Sequence, residues 1–270
     1  MEKNNVERRL VMNRQDWNPE IYLKFNKERT QPAIDLAANI NVNDPKKIID
    51  IGCGPGNNTQ VLFKKWPESK IVGIDNSAPM IKSAKKSYPK MEWQIEDATK
   101  MEKNDKYDVI YSNSTIQWIT DQEKLIKNFF DMLEEKGALA IQIPLFHTMA
   151  ASNAIENVLL KQKWKEQTSG ANNVFNFQSS GFYYDLLSEK TKSIDIWETS
   201  YIHIMPSHQY IVEMLKSAGI RPFLDKLDNK KEKIEFEHDI FKEITKAYPS
   251  QKDGNILFPF KRLFFIGYKS

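Results

Sequence analysis

Ile48-Ile49-Asp50-Ile51-Gly52-Cys53-Gly54-Pro55-Gly56-Asn57-Asn58-Thr59 carries an apolar strand straight into a glycine-rich turn that opens a helix. Residues without a Cβ let the backbone turn sharply and lie close against a ligand. The helix that follows presents unpaired N–H groups at its start. A second strand, Lys70-Ile71-Val72-Gly73-Ile74, ends in Asp75, where a carboxylate can hold the two hydroxyls of a ribose. Strand, glycine turn, helix, strand and terminal acid make half of a nucleoside-cofactor site.

Outward from this stretch, the front half alternates strand with helix, which argues a parallel sheet covered on both faces. Strands are expected at 46–51, 70–75, 91–96, 107–112 and 137–143. Helices are expected at 57–66, 77–87 and 121–135, the first stopped by Pro67 and the last by Gly137. Upstream, residues 12–38 read as a helix pair. Asp16 or Asn18 suits the cap of the first helix with Pro19 just inside it, and Pro32 suits the start of the second. Residues 145–192 read as irregular. The run Ile194 to Ile204 alternates in polarity as a half-buried strand does. Ser207 caps a helix ending near Gly219. Residues 225–247 place Ile234, Phe241, Ile244 and Tyr248 on one helical face, and a final strand runs from Arg262 to Tyr268. One domain over 1–270 is expected, with 145–192 and 205–258 forming a cap over the sheet.

The chain has 270 residues, 40% of them hydrophobic, enough for a sizeable core. The net charge of +3 is too balanced to imply a nucleic-acid partner. Met1 to Arg9 lacks the apolar core of a signal peptide, and no apolar run approaches the length of a membrane span. One cysteine cannot form an internal disulfide, which fits a reducing compartment. One Cys and four scattered His give no metal-ligand spacing. These features predict a soluble, cytoplasmic protein with no membrane or nucleic-acid partner and no metal; a monomer is expected. Cys53 reads as a small residue in a tight turn rather than a nucleophile.

A dinucleotide fingerprint reads G-x-G-x-x-G; here the run is Gly52-x-Gly54-x-Gly56 behind acidic Asp50. It resembles the first motif of class I S-adenosylmethionine (SAM) methyltransferases. Further segments resemble one family within that class, the trans-aconitate methyltransferases. They are Asp16-Trp17-Asn18-Pro19-x-x-Tyr22, Glu28-Arg29-Thr30, Gly73-Ile74-Asp75-x-Ser77-x-x-Met80, Gln117-Trp118, Tyr183-Tyr184, Gly219-Ile220-Arg221-Pro222 and Arg262-Leu263-Phe264. The most specific is Trp197-x-Thr199-x-Tyr201-x-His203-x-Met205-Pro206-Ser207-His208. The resemblance covers the chain from about Asp16 to its end. It implies an α/β fold: the class I methyltransferase, Rossmann-like sheet of seven strands, the last antiparallel, with N-terminal helices and a helical cap. It implies carboxyl O-methylation of trans-aconitate, giving a methyl ester and S-adenosylhomocysteine.

The cofactor residues expected are Asp50, Gly52, Cys53, Gly54, Gly56 and Asn57 in the loop, Asp75 and Asn76 at the ribose, and Met80 beside the adenine. By resemblance Asp97 accepts from the adenine amino group and Ala98 supports the ring. Asn113 and Ser114 follow the fourth strand, where ligands of open α/β sheets bind. Arg29 suits the cofactor's carboxylate or a substrate carboxylate, since a guanidinium binds either in a fork. Substrate candidates are Trp17, Tyr22, Gln117, Trp118, Tyr183, Tyr184, His203, Arg221 and Arg262. Packing is the alternative for the aromatics, and a hydrogen-bonded, half-buried ring for His203. No catalytic acid or base is expected; catalysis would rest on positioning. Two positions depart from the family pattern: Gln31 stands where it places an Arg, and Pro144-Leu145-Phe146 stands where it often has Pro-Asp-Asn. They keep two other readings open, a different small acceptor and a non-catalytic SAM-binding protein. The glycine spacing argues against a nicotinamide-dependent dehydrogenase.

Overall fold

The computed structural model describes residues 17–101 and 104–270. Asp16, the other candidate cap, and the start of the expected first helix lie outside them. Two helices, α1 (Pro19–Leu23) and α2 (Asn26–Asn39), lead into the sheet. Asn18 Oδ1 accepts the Glu20 N–H at 2.9 Å, so the Asn-Pro pair starts α1 as expected. Pro32 does not open α2. It lies inside a helix that already begins at Asn26, buried against the sheet with Ala33 and Leu36.

Next come β1 (Lys47–Ile51), α3 (Thr59–Lys65), β2 (Lys70–Asp75), α4 (Ala78–Ser87), β3 (Glu92–Ile95), β4 (Tyr107–Asn113), α5 (Gln122–Asp131) and β5 (Leu133–Pro144). After the cap segment described below run β6 (Ile194–Met205) and β7 (Ile256–Tyr268). The seven strands form one sheet in the order β3-β2-β1-β4-β5-β7-β6. β1 to β5 are parallel, and β7 runs antiparallel to both β5 and β6. This is the Rossmann-like sheet of class I methyltransferases, with the last strand antiparallel. The order reverses beside β1, so the carboxyl ends of β1 and β4 flank the crevice where such sheets bind ligands.

Gly137 does not stop a helix. α5 ends at Asp131, and the chain is already extended at Leu133. At Gly137 a Cβ would stand 2.8 Å from the Glu134 carbonyl and 3.0 Å from that of Asp108. The glycine permits a close backbone approach where the β4–β5 register shifts.

Residues 145–192 are largely helical rather than irregular: α6 (Ala150–Leu159), α7 (Gln162–Lys165) and α8 (Ser180–Ser188). The signal was present, since Ala151, Ala154, Ile155 and Val158 form a helical stripe, and all are buried. Between β6 and β7 lie α9 (His208–Lys216), α10 (Arg221–Leu224) and α11 (Lys230–Ala247). Ser207 caps α9 through the Tyr210 N–H. α11 starts later than expected, at a cap in which Asn229 Oδ1 accepts the Glu232 N–H at 2.9 Å. Its buried face is Phe236, Ile240 and Ile244, whereas Ile234 is 55% exposed. The expected face was therefore rotated: i, i+4, i+8 spacing from Phe236 won over Ile234.

One apolar cluster joins α6, α9, α10, α11 and the near ends of β6 and β7. Trp164 pins it, fully buried, with Nε1 donating to Asp239 at 2.9 Å and its ring edge-on to Phe236. The cap is thus one body built from both sides of β6, stacked over the carboxyl end of the sheet. β6 is half-buried as its pattern predicts, with Thr199, Tyr201 and His203 turned inward and Ser200, Ile202 and Ile204 outward.

Candidate active site

The glycine loop leaves β1 with three positive φ angles, at Gly52, Gly54 and Gly56. Two of these positions matter for a ligand. At Gly52 a Cβ would stand 2.2 Å from Thr115 Oγ1, so the loop must lie against the end of β4. At Gly54 no protein atom comes within 4 Å of where a Cβ would stand, which leaves that backbone face open. Asp75 sits opposite. Its Oδ2 accepts the Gly54 N–H at 3.0 Å and its Oδ1 the Ser77 N–H at 2.8 Å. Asp50 is 1% exposed and accepts from Thr59 Oγ1 at 2.6 Å, tying the loop to α3. Burial pushes its pKa up to about 7, with the charge of Asp75 adding to the effect and the Thr59 bond opposing it.

Asn57 Nδ2 donates to Thr30 Oγ1 at 3.2 Å, which docks α2 onto the loop. Its Oδ1, like that of Asn113 at the end of β4, is buried with no partner. Cys53 and Met80 are buried in the turn and in α4, and Asn76 is exposed beside Asp75. Asp97 accepts from the Thr99 N–H and hydroxyl, capping a short turn that contains Ala98. An open backbone cradle, a facing carboxylate and orphaned amide oxygens at the strand ends suit a nucleoside carrying positive charge, as SAM does.

Beside this cleft, beneath the cap, is a cavity of about 740 Å³, mouth included. Arg29, Ser114, Gln117 and Arg262 give it a polar end. Ser114 holds a left-handed backbone, φ 60°, rare for a residue with a Cβ. Three bonds hold it there: its N–H to the Gln142 carbonyl, its hydroxyl to Gln142 Oε1 at 2.8 Å, and Arg262 Nη1 to its Oγ at 3.1 Å. Arg262 is 4% exposed, and its Nε has no partner. Burial, and then the charge of Arg29, lower its pKa to about 10. Arg29 lies over the Tyr22 ring at 4.1 Å and donates to Ser217 Oγ, while its Nε is buried without a partner. Gln117 Nε2 donates to the Ser114 carbonyl, leaving Oε1 unpaired.

Of the substrate candidates, Trp17, Tyr22, Gln117, Trp118 and Arg262 line this cavity. Trp17 meets Trp118 edge-on at 5.4 Å. Arg221 is not in the lining; its guanidinium lies over Trp17 at 4.5 Å and its Nε is 3.6 Å from Asp225. His203 is half-buried behind Phe260, its Nε2 unpaired, and burial with the charge of Arg262 lowers its pKa to about 4. The tyrosine pair is not brought to the cavity. Tyr183 is fully buried, stacked on Phe265 and donating to Gln122 Oε1, and Tyr184 is half exposed. Gln31 is exposed and donates to Asp35 at 2.8 Å, so that departure lies off the site. Phe146 lines the cavity, so the other departure lies in its wall.

Sequence reading missed Phe175, Phe177, Met214, Leu215, Ala218 and Phe260, which also line the cavity. Only Phe260 carried a signal, being two residues before Arg262 and so on the same face of β7.

A seven-stranded sheet with its last strand antiparallel, an open glycine loop facing a strand-end acid, and a capped cavity beside it define a class I, SAM-dependent methyltransferase. A family model described as a methyltransferase domain matches residues 43–218. The trans-aconitate 2-methyltransferase of Yersinia pseudotuberculosis serotype O:1b (strain IP 31758) is 37% identical over 256 residues, 94% of this chain and 98% of that protein. That of Enterobacter sp. (strain 638) is 36% identical over 93% of this chain and 97% of its own. The chain belongs to the trans-aconitate 2-methyltransferase family. Among solved structures, Haemonchus contortus phosphoethanolamine N-methyltransferase 2, complexed with phosphomonomethylethanolamine and S-adenosylhomocysteine, shares the fold. Its TM-score is 0.56 at 15% identity, over 89% of this chain and 53% of that one.

Proposed function

We propose that this enzyme methylates a carboxylate of trans-aconitate or a related small polycarboxylate, giving a methyl ester. One observation carries the reading: Arg29 and Arg262 both face the cavity, and neither has a carboxylate ion-pair partner among the described residues. Two desolvated guanidiniums in one cavity repel each other, and an acid with two or more carboxylates would neutralise both.

Gly54, Asp75, Asn57 and Asn113 would hold the cofactor, with Asp97 and Ala98 at the adenine and Arg29 shared with its carboxylate. Bound SAM supplies a methyl group on a sulfonium, electrophilic toward a carboxylate oxygen. The protein's own part is positioning. Arg262, braced by Ser114 and Gln142, fixes one carboxylate, and Gln117 borders it. A carboxylic acid is ionised at neutral pH, so the residues need to take no proton from it. Alignment of this kind can contribute on the order of 7–11 kcal/mol. The aromatic wall under the cap excludes water and strengthens the polar contacts inside.

The single cysteine, buried and unpaired at Cys53, supports a cytoplasmic setting. We read the enzyme as a monomer acting on a small molecule. No helix among the described residues is long and apolar enough to cross a membrane. The test is methyl transfer from labelled SAM to a panel of small carboxylic acids, with products identified by mass spectrometry. Ester formation on tri- or dicarboxylates is expected. A protein that binds SAM but esterifies none at millimolar concentration would end this reading.

A further inference from the structure

Tyr183 lies outside the cavity, fully buried, with its ring stacked on Phe265 of β7 at 4.5 Å. Phenylalanine would pack there as well. The hydroxyl is what packing leaves unexplained, because a buried polar group costs free energy unless it is hydrogen-bonded. Burial raises its pKa, so it stays protonated and donates. Its acceptor is Gln122 Oε1.

Gln122 opens α5 and is 1% exposed. Its Nε2 donates to the Ile116 carbonyl at 3.0 Å and to the Asn176 carbonyl at 2.6 Å. Two carbonyls on the nitrogen leave the amide one orientation, with its oxygen toward the tyrosine. A buried network satisfied in this way holds its members rigidly.

The two carbonyls belong to two walls of the cavity. Ile116–Trp118 is a single turn that carries Gln117 and Trp118. Residues 175–179 form no helix or strand. Asn176, among them, is held at both of its backbone groups: its N–H donates to the Gln117 carbonyl at 2.8 Å, and its carbonyl accepts from Gln122. Phe175 and Phe177 flank it and line the cavity, and Phe175 meets Trp118 at 4.9 Å. Gln117 is bonded in turn to the Ser114 carbonyl, and the Ser114 hydroxyl to Arg262. A shift at Gln122 therefore moves the aromatic wall relative to the guanidinium.

We infer that Tyr183 is a positioning residue for methyl transfer: through Gln122 its hydroxyl ties the Ile116–Trp118 turn to the 175–177 segment and fixes the wall of Trp118 and Phe175 relative to Arg262. This rests on the reading of the cavity as the seat of the carboxylic acid.

The experiment compares wild type, Tyr183→Phe, Gln122→Met and the double variant. It measures kcat and KM for trans-aconitate, SAM affinity by calorimetry and stability by urea unfolding. Tyr183→Phe keeps the stacked ring and removes one hydroxyl. It should lower kcat/KM about tenfold, where a misplacement of about 1 Å can cost about a hundredfold. The loss should fall chiefly in kcat, since Arg262 still binds the acid, and SAM affinity should not change. Added to Gln122→Met, Tyr183→Phe should cost nothing further, because both act through one contact. Tyr183→Phe decides the matter by itself if Gln122→Met does not fold. A second readout needs no acceptor: in protein labelled with 5-fluorotryptophan, the Trp118 resonance, identified with Trp118→Phe, should shift in Tyr183→Phe. That of Trp93, packed against Gly73 on β2, should stay in place. Lower stability with kcat unchanged would make Tyr183 a purely structural residue and overturn the inference. Additive losses in the double variant would show that it does not act through Gln122, with the same result. If the wild type binds SAM but esterifies no acid, the carboxyl reading fails. The fluorine spectrum then decides the tie between Tyr183 and the wall, and an unmoved Trp118 resonance overturns it.

Discussion

Arg29, on α2, and Arg262, on β7, meet at one cavity from opposite ends of the chain, and burial together with the charge of Arg29 holds the Arg262 pKa down at about 10. Arg262 nevertheless stays charged at neutral pH. Its fork is held in place by Ser114 and Gln142, whose own positions follow from β4 and β5. Holding the two cations this close costs free energy that a bound polyanion would relieve.

Arg262→Met should therefore lower kcat/KM for the acid by about 1.5–3 kcal/mol, the range for hydrogen bonds to a charged group, or roughly 10- to 150-fold. SAM affinity, measured by calorimetry, should barely move. Arg221→Ala should have a smaller effect, because Arg221 lies over Trp17 and beside Asp225 rather than in the lining. Steady-state kinetics showing Arg221→Ala to be the more damaging change would reverse these roles.

Gly54→Val tests the cofactor cradle. A Cβ there meets no protein atom within 4 Å, but the valine would fill the face left open to the ligand, at a φ of 56° that a branched residue resists. Calorimetry should show SAM binding lost while circular dichroism shows the fold retained. Binding of normal affinity would place the cofactor elsewhere.

Asp75→Ala should weaken SAM by about 1.5–3 kcal/mol and leave kcat at saturating SAM nearly unchanged. Part of the loss would come through the loop, since Asp75 accepts from both Gly54 and Ser77. A collapse of kcat with unchanged SAM affinity would contradict the ribose role.

His203 makes the pH prediction. Its pKa in the folded protein is about 4, against about 6.5 in an unfolded chain. Between those values the unfolded chain binds a proton that the native protein does not, so lowering the pH favours unfolding. The contribution is present above pH 6.5 and is lost as pH falls toward 4. Urea unfolding at pH 7 and pH 4.5 should show wild type losing more stability than His203→Gln. Equal losses would mean that His203 is not buried as neutral imidazole.

The sequence alone determined the sheet and the glycine loop that faces Asp75. Apolar runs, the Gly52-x-Gly54-x-Gly56 turn and Asp75 at a strand end are local features, readable because strand alternation and turn geometry depend on consecutive residues. Local signals misled where two competed: Pro32 looked like a helix start but is tolerated inside α2, and Gly137 looked like a stop but eases a strand crossing. The cap and the cavity beneath it were decided by tertiary structure. Tyr183 and Arg262 looked equally suited to a substrate, yet packing buries Tyr183 against Phe265 and turns Arg262 toward Ser114. Phe146, Phe175, Met214 and Phe260 carry no common spacing and become one wall only when α9 and the 145–177 segment close over β7. Burial and facing direction across distant segments are properties of the packed core, and no local pattern encodes them.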